Sequence, residues 1–167
     1  KKEGLQQLML QHYEHLLVPV DGSNQAEHAL LKAMAIAKRN NVSIELLSVI
    51  DVNQYGSFGN VTEGSLLEKL VNDNKGYLQT LADQLKDKYD FTDTNIHVRF
   101  GNPKSVISFD FEKDHPVDLI VMGATGMNAV NRIVVGSVTS FVNRNAKMDV
   151  LIVRTDSNNK LLKSTKN

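Results

Sequence analysis

The chain has 167 residues, 41% of them hydrophobic, and 19 Lys plus Arg stand against 19 Asp plus Glu. That length suits one domain with an ordinary buried core, and the balanced charge lacks the basic excess of a dedicated nucleic-acid binder or the polybasic run of a membrane-surface anchor. The lack of cysteine excludes a disulfide scaffold, thiolate catalysis and Cys-based zinc sites.

Residues 1–10, with Glu3, Gln6 and Gln7, are not expected to form a secretory signal. No apolar run approaches the ~18 residues of a membrane span. A cytoplasmic protein is therefore expected, with no nucleic acid or membrane partner. Leu5, Leu8 and Met9 fall at helical spacing, which predicts a short helix over 1–13 in an N-terminal extension, residues 1–14.

The domain proper is expected over 15–156. His15-Leu16-Leu17-Val18-Pro19-Val20 reads as a strand covered on both faces, with Pro19 near its end. Asp21-Gly22-Ser23-Asn24 supplies turn residues and helix caps. Ala26, Ala29, Leu30, Ala33, Met34 and Ala37 then mark the buried face of a helix. A second strand lies within Val42 to Ile50. Asp51 to Gly64, with three glycines, reads as a mobile loop.

Leu66 to Tyr89 predicts a long helix with an apolar stripe at Leu67, Leu70, Val71, Leu78, Leu81 and Leu85. Ile96 to Phe100 alternates, as a half-buried or edge strand would. Gly101-Asn102-Pro103 ends it and opens a helix, with Val106, Ile107 and Phe111 facing the core. Asp118 to Met122 is the fourth strand, Ser137 to Asn145 the fourth helix of this alternation, and Val150 to Val153 the fifth strand. Residues 157–167 form a polar tail, expected to fray from Asp156 on. Strands alternating with helices predict an α/β fold with a mainly parallel sheet and a ligand crevice beyond the strands' carboxyl ends.

Between strand four and helix four runs a loop with Gly123, Gly126 and Gly136, followed by Ser137 and Thr139. Glycines let a backbone approach a ligand, and bare amides at a helix start favour anionic oxygens. The chain has no G-x-G-x-x-G after strand one and no G-x-x-x-x-G-K-[ST], so neither a dinucleotide Rossmann site nor a P-loop is expected. His12, His15, His28, His97 and His115 make no metal-ligand cluster in sequence.

The loop matches G-x2-G-x9-G-[ST] at Gly123, Gly126, Gly136 and Ser137, and in this it resembles the universal stress protein family. Leu16 to Ser23, Leu46 to Asp51, Gly101-Asn102-Pro103 and Asp118 to Gly123 are similar to that family's strands and turns, so the likeness covers about 15–154. The resemblance implies a five-stranded parallel sheet of order 3-2-1-4-5 with helices on both faces. That is a Rossmann-like architecture akin to the adenine nucleotide alpha hydrolases. It also implies ATP, or another adenine nucleotide, in a crevice between strands one and four.

In that arrangement Asp21 would accept from the base or ribose, and Pro19 and Val49 would line the adenine slot. Met122 would pack nearby. Gly123 would admit the ribose and phosphates, and Gly126, Gly136, Ser137, Val138 and Thr139 would hold the phosphates. Arg132 either neutralises phosphate or is a solvated loop arginine. Asp21 and Ser137 have a second reading as helix caps, and Met122 one as plain core. Few positive charges accompany the loop, so Mg²⁺ held by phosphates and water is expected.

The implied function is an ATP-binding stress or signalling protein with little or no turnover and an unknown protein partner. A nucleotide-independent dimeric scaffold is one alternative. A slow ATPase, an autophosphorylating protein modified at Ser137 or Thr139, or an adenylating enzyme is another. Strand five would be a sheet edge, and the family implies a homodimer through Val150, Leu151, Ile152 and Val153. The proline frequent before that strand in the family is replaced here by Met148-Asp149.

Overall fold

The computed structural model describes residues 12–55, 63–126 and 135–162. Its elements run β1 (Leu16–Pro19), α1 (Asn24–Asn40), β2 (Ile44–Ile50), a 3-10 turn (Val52–Tyr55), α2 (Glu63–Tyr89) and β3 (Thr94–Phe100), then α3, β4 (Leu119–Gly123), α4 (Ser137–Asn145) and β5 (Asp149–Val153). Helix α3 is composite: α-helical at Pro103–Ser105, π-helical at Val106–Asp110 and α-helical again at Phe111–Asp114. Every strand pair is parallel, as the alternation of strands and helices predicts, and the order β3-β2-β1-β4-β5 is the one that the family resemblance implies. Strands β1 and β4 are neighbours, so the chain's winding reverses between them and their carboxyl ends frame the crevice.

Alternation along β1 divides the core in two. Leu16 and Val18 pack with α1 and with Leu78, Leu81 and Leu85 of α2 on one face. Leu17 points to the other face, with Leu47, Ile107, Phe111, Ile120, Met122 and Val142. Each such side chain contributes about 1.5–3 kcal/mol relative to exposure. The six buried residues of α1 are Ala26, Ala29, Leu30, Ala33, Met34 and Ala37, the face that its periodicity predicted. Four of the six are alanines, which lets the helix axis lie close to the sheet. Ser23 Oγ caps this helix by accepting from Ala26 N at 3.2 Å. Asn41, left-handed at φ 56°, ends it.

Four features depart from the sequence expectation. Helix α2 starts at Glu63 rather than Leu66, and the expected loop contains a 3-10 turn. Asp51 opens that turn by accepting from Asn53 N and Gln54 N; residues 56–62 lie outside the described residues. The apolar stripe of α2 is buried only at Leu78, Leu81 and Leu85; Leu67 is 38% exposed, and Leu70 and Val71 are half-buried. Length explains this: 27 helical residues span about 40 Å, whereas the seven residues of β2 span about 23 Å. The helix therefore overhangs the sheet.

The third departure is the C-terminal segment, which turns back instead of fraying through residue 162. Thr155 bridges Leu161 antiparallel, Asp156 Oδ1 accepts from Asn158 N and Lys160 N, and Lys32 Nζ donates to Thr155 Oγ1 and Asn159 Oδ1. At the other end, Tyr13 is not helical; its N donates to Asn40 Oδ1 and its hydroxyl to Asp149 Oδ2. The rest of the predicted helix, residues 1–11, lies outside the described residues.

Candidate functional site

At the carboxyl ends of β1, β2 and β4 lies a crevice of about 660 Å³, within the roughly 300–1,000 Å³ of small-molecule sites. Ten of the expected site residues line it: Pro19, Asp21, Val49, Met122, Gly123, Gly126, Gly136, Ser137, Val138 and Thr139. Arg132 lies outside the described residues.

The turn after β1 is built by Gly22, whose φ of 85° is left-handed and favours glycine. It aims Asp21 into the crevice, where Asp21 Oδ1 accepts from Ser23 N at 3.0 Å. Ser23, not Asp21, is the cap of α1, so the capping reading of Asp21 does not hold.

Each glycine of the loop has its own neighbour. A Cβ on Gly123 would lie 2.9 Å from the backbone carbon and Cβ of Gln25, so this glycine admits the first turn of α1 against β4. The role expected for Gly123, opening the backbone to a ligand, is thus shared with a packing duty. A Cβ on Gly126 would lie 2.5 Å from Asp21 Oδ2, placing the loop backbone against the carboxylate from β1. Gly136 N donates to Ala124 O at 2.8 Å, which closes the base of the loop, and a Cβ there would lie 3.4 Å from the Thr125 Cα.

Helix α4 starts at this point without a side-chain cap: its cap residue is Gly136, and Ser137 is the first helical residue. The capping reading of Ser137 is thereby corrected. Ser140 N donates to Gly136 O, and the amides of Ser137, Val138 and Thr139 precede any intrahelical acceptor. Those amides carry the helix's partial positive charge. The hydroxyl of Thr139 is committed elsewhere. It is buried and donates to Gly123 O at 2.8 Å, tying α4 to the end of β4. Ser137, which is exposed, brings a hydroxyl to the crevice.

Sequence reasoning missed the opposite wall, which comprises Ser48 on β2, Asp51, Gln54 and Tyr55 around the 3-10 turn, and Asp73, Asn74 and Tyr77 on α2. Ser48 Oγ donates to Asn74 Oδ1 at 2.6 Å, and Asn74 Nδ2 donates to Leu70 O at 2.8 Å. The available signal was Asn74 itself, a polar residue midway between Leu70 and Leu78 on the apolar stripe. The Tyr77 hydroxyl donates to Glu27 Oε1 at 3.3 Å. Burial, then the Glu27 carboxylate, pushes it well above the usual tyrosine range, so it remains a neutral donor.

Among the described residues the crevice lining carries three carboxylates, Asp21, Asp51 and Asp73, and no lysine, arginine or histidine. No three His, Asp or Glu side chains among the described residues converge on a metal position. An anion here would be met by backbone amides at the α4 end and repelled elsewhere. A divalent ion would fit as a companion of the anion rather than as an ion caged by the described residues.

With this geometry established, comparison with known proteins identifies the chain's class. Residues 12–154 match the universal stress protein family, and the chain belongs to it. A putative universal stress protein of Staphylococcus haemolyticus is 35% identical over 144 residues, covering 86% of each chain. The structure of the universal stress protein UspA from Lactobacillus plantarum superposes with a TM-score of 0.70 at 31% identity, over 86% of this chain and 99% of that one. A universal stress protein solved in complex with cAMP superposes with a TM-score of 0.65 over 86% of this chain and 98% of that one; at 23% identity it shares the fold. No described helix is long and apolar enough to cross a membrane.

Proposed function

We propose that the chain binds an adenine nucleotide, ATP with Mg²⁺, and uses it to change conformation or partner affinity in a stress or signalling role with little turnover. One observation carries this reading: the uncapped amides of Ser137, Val138 and Thr139 and the glycine backbone at Gly126 face the same crevice as Asp21 and the apolar Pro19, Val49 and Met122. Amides suit phosphate, an apolar slot suits a base, and a carboxylate acceptor suits ribose hydroxyls or an exocyclic amine. The cAMP complex of a protein of the same fold supports an adenine nucleotide in this architecture. Arg132, carried by the same loop in sequence, is proposed as a further phosphate partner.

The Mg²⁺ would supply charge neutralisation while held by phosphates and water. A homodimer through β5 accompanies the reading. β5 is a sheet edge, and Leu151 on it is 39% exposed.

The test is mass spectrometry of small molecules released from the purified protein, followed by calorimetry with ATP, ADP, AMP and cAMP, with and without Mg²⁺. Saturable binding of an adenine nucleotide is expected. No affinity for any of the four, with Mg²⁺ present, would leave the scaffold reading in its place. Light scattering at micromolar concentration should return a dimer mass; a monomer mass contradicts the β5 interface.

A further inference from the structure

The overhanging half of α2 brings Asp73 and Asn74 to one wall of the crevice, and three features set it apart from the half that follows. The first is burial: Leu78, Leu81 and Leu85 anchor the back half, while Leu67 is exposed and Leu70 and Val71 are half-covered. The second is Gly76 at the junction. A Cβ there would meet nothing within 4 Å, so packing does not require a glycine. What glycine contributes in a helix interior is backbone freedom. The third is a pair of side chains that bond back along the helix on either side of Gly76. Asn74 Nδ2 donates to Leu70 O, and the Thr80 hydroxyl donates to Gly76 O at 2.9 Å, the latter a Thr back-bond of the kind that often bends helices. Against these softening features stands a clip between the front half and the sheet, the Ser48 Oγ to Asn74 Oδ1 hydrogen bond at 2.6 Å.

We infer that residues 63–75 are a hinged wall of the crevice, pivoting at Gly76 and latched shut by the Ser48–Asn74 hydrogen bond, so that Ser48 and Asn74 are positioning residues that control ligand entry and exit. Opening carries Asp73 and Asn74 away from the ends of β1 and β2 and leaves the back half of α2 on the core. The glycine wall does not move with it, because Thr139 bonds it to β4. The gating role rests on the nucleotide reading above; the hinge does not.

The experiment is hydrogen–deuterium exchange, read by mass spectrometry on the full chain, for the wild type and for Gly76→Ala, Ser48→Ala and Asn74→Ala. In the wild type, peptides within 63–75 should exchange at least about tenfold faster than those within 78–89. Gly76→Ala should slow the front set about fivefold. Ser48→Ala and Asn74→Ala should both speed it, and none of the three should alter the back set. ATP with Mg²⁺ should protect the front set, and the two latch variants should raise both the association and dissociation rates of ATP.

Uniform exchange along α2, or a front set indifferent to Gly76→Ala, overturns the hinge. ATP that binds by calorimetry yet leaves 63–75 unprotected overturns the gating role. A hinge pattern without any nucleotide affinity overturns the proposed function and leaves the hinge standing.

Discussion

The two walls of the crevice are built on opposite physical principles. The wall running from β4 to α4 is made of backbone. Gly123 lies under Gln25, Gly126 against Asp21, and Gly136 is bonded to Ala124, so at these positions the wall presents main chain. The wall from β2 to α2 is made of side chains, Asn74 and Tyr77 among them, held by side-chain hydrogen bonds on a helix that outruns its sheet. The backbone wall leaves no room for an added atom at Gly123, where the neighbours include main chain, whereas at Gly126 the neighbour is a movable carboxylate. A side-chain wall tolerates substitution but not the loss of its clip.

Substitutions can break that contrast, and the largest effect is expected at Gly123. Gly123→Val drives side-chain atoms into the backbone of Gln25, and destabilisation of about 3 kcal/mol is expected from such overpacking. The shift of the urea midpoint measures it. A change below about 1 kcal/mol would mean that α1 moves away freely and that the wall is softer than described. Thr139→Val comes next. It leaves the Gly123 carbonyl without its 2.8 Å donor and should cost about 1–2 kcal/mol. Ser137→Ala, a few residues away, should leave the midpoint within about 0.5 kcal/mol while weakening nucleotide binding.

Gly126→Val separates stability from binding. Its new Cβ meets only the far end of the Asp21 side chain, which can move, so stability should fall by less than about 1 kcal/mol. Nucleotide affinity should fall at least about tenfold, roughly 1.4 kcal/mol, because the cradle is filled. A variant with unchanged affinity by calorimetry would remove the glycine wall from the site.

The smallest effect concerns the C-terminal turn outside the crevice. Asp156 is held below the usual carboxylate range, chiefly by the Lys160 backbone amide and then by that of Asn158. A depressed folded value means that the turn is locked above the unfolded carboxylate range, near pH 4, and loosens as pH falls through the lower folded value. The Asn158 and Lys160 amide resonances should report that loosening only below about pH 4. A transition near neutral pH would point to another group.

The same contrast explains what the sequence revealed. Backbone features leave a mark at fixed positions. The glycine spacing, Pro103 at a helix start and the 3.6-residue pattern of α1 each locate an element without knowledge of its neighbours. The extent of α4 followed from such marks, and the order of the strands from the family resemblance. The α2 wall left no such mark, because helical periodicity does not tell where the sheet beneath ends. Leu67 and Leu85 therefore look alike in sequence although only Leu85 is buried. Asn74 enters the crevice through its bond to Ser48, 26 residues away, a partnership that local pattern cannot express. The turn at 154–162 was hidden similarly, since Lys32 on α1 supplies the clasp.

The account depends on backbone amides at the start of α4 meeting the phosphates of an adenine nucleotide. An amide-resolved NMR titration of the full chain with ATP and Mg²⁺ tests this directly. Saturable shifts should appear first at Gly126, Gly136, Ser137 and Val138, with adenosine alone moving Val49 and Asp21 but not those four. Shifts confined to other surfaces, or the same pattern with adenosine as with ATP, would contradict it.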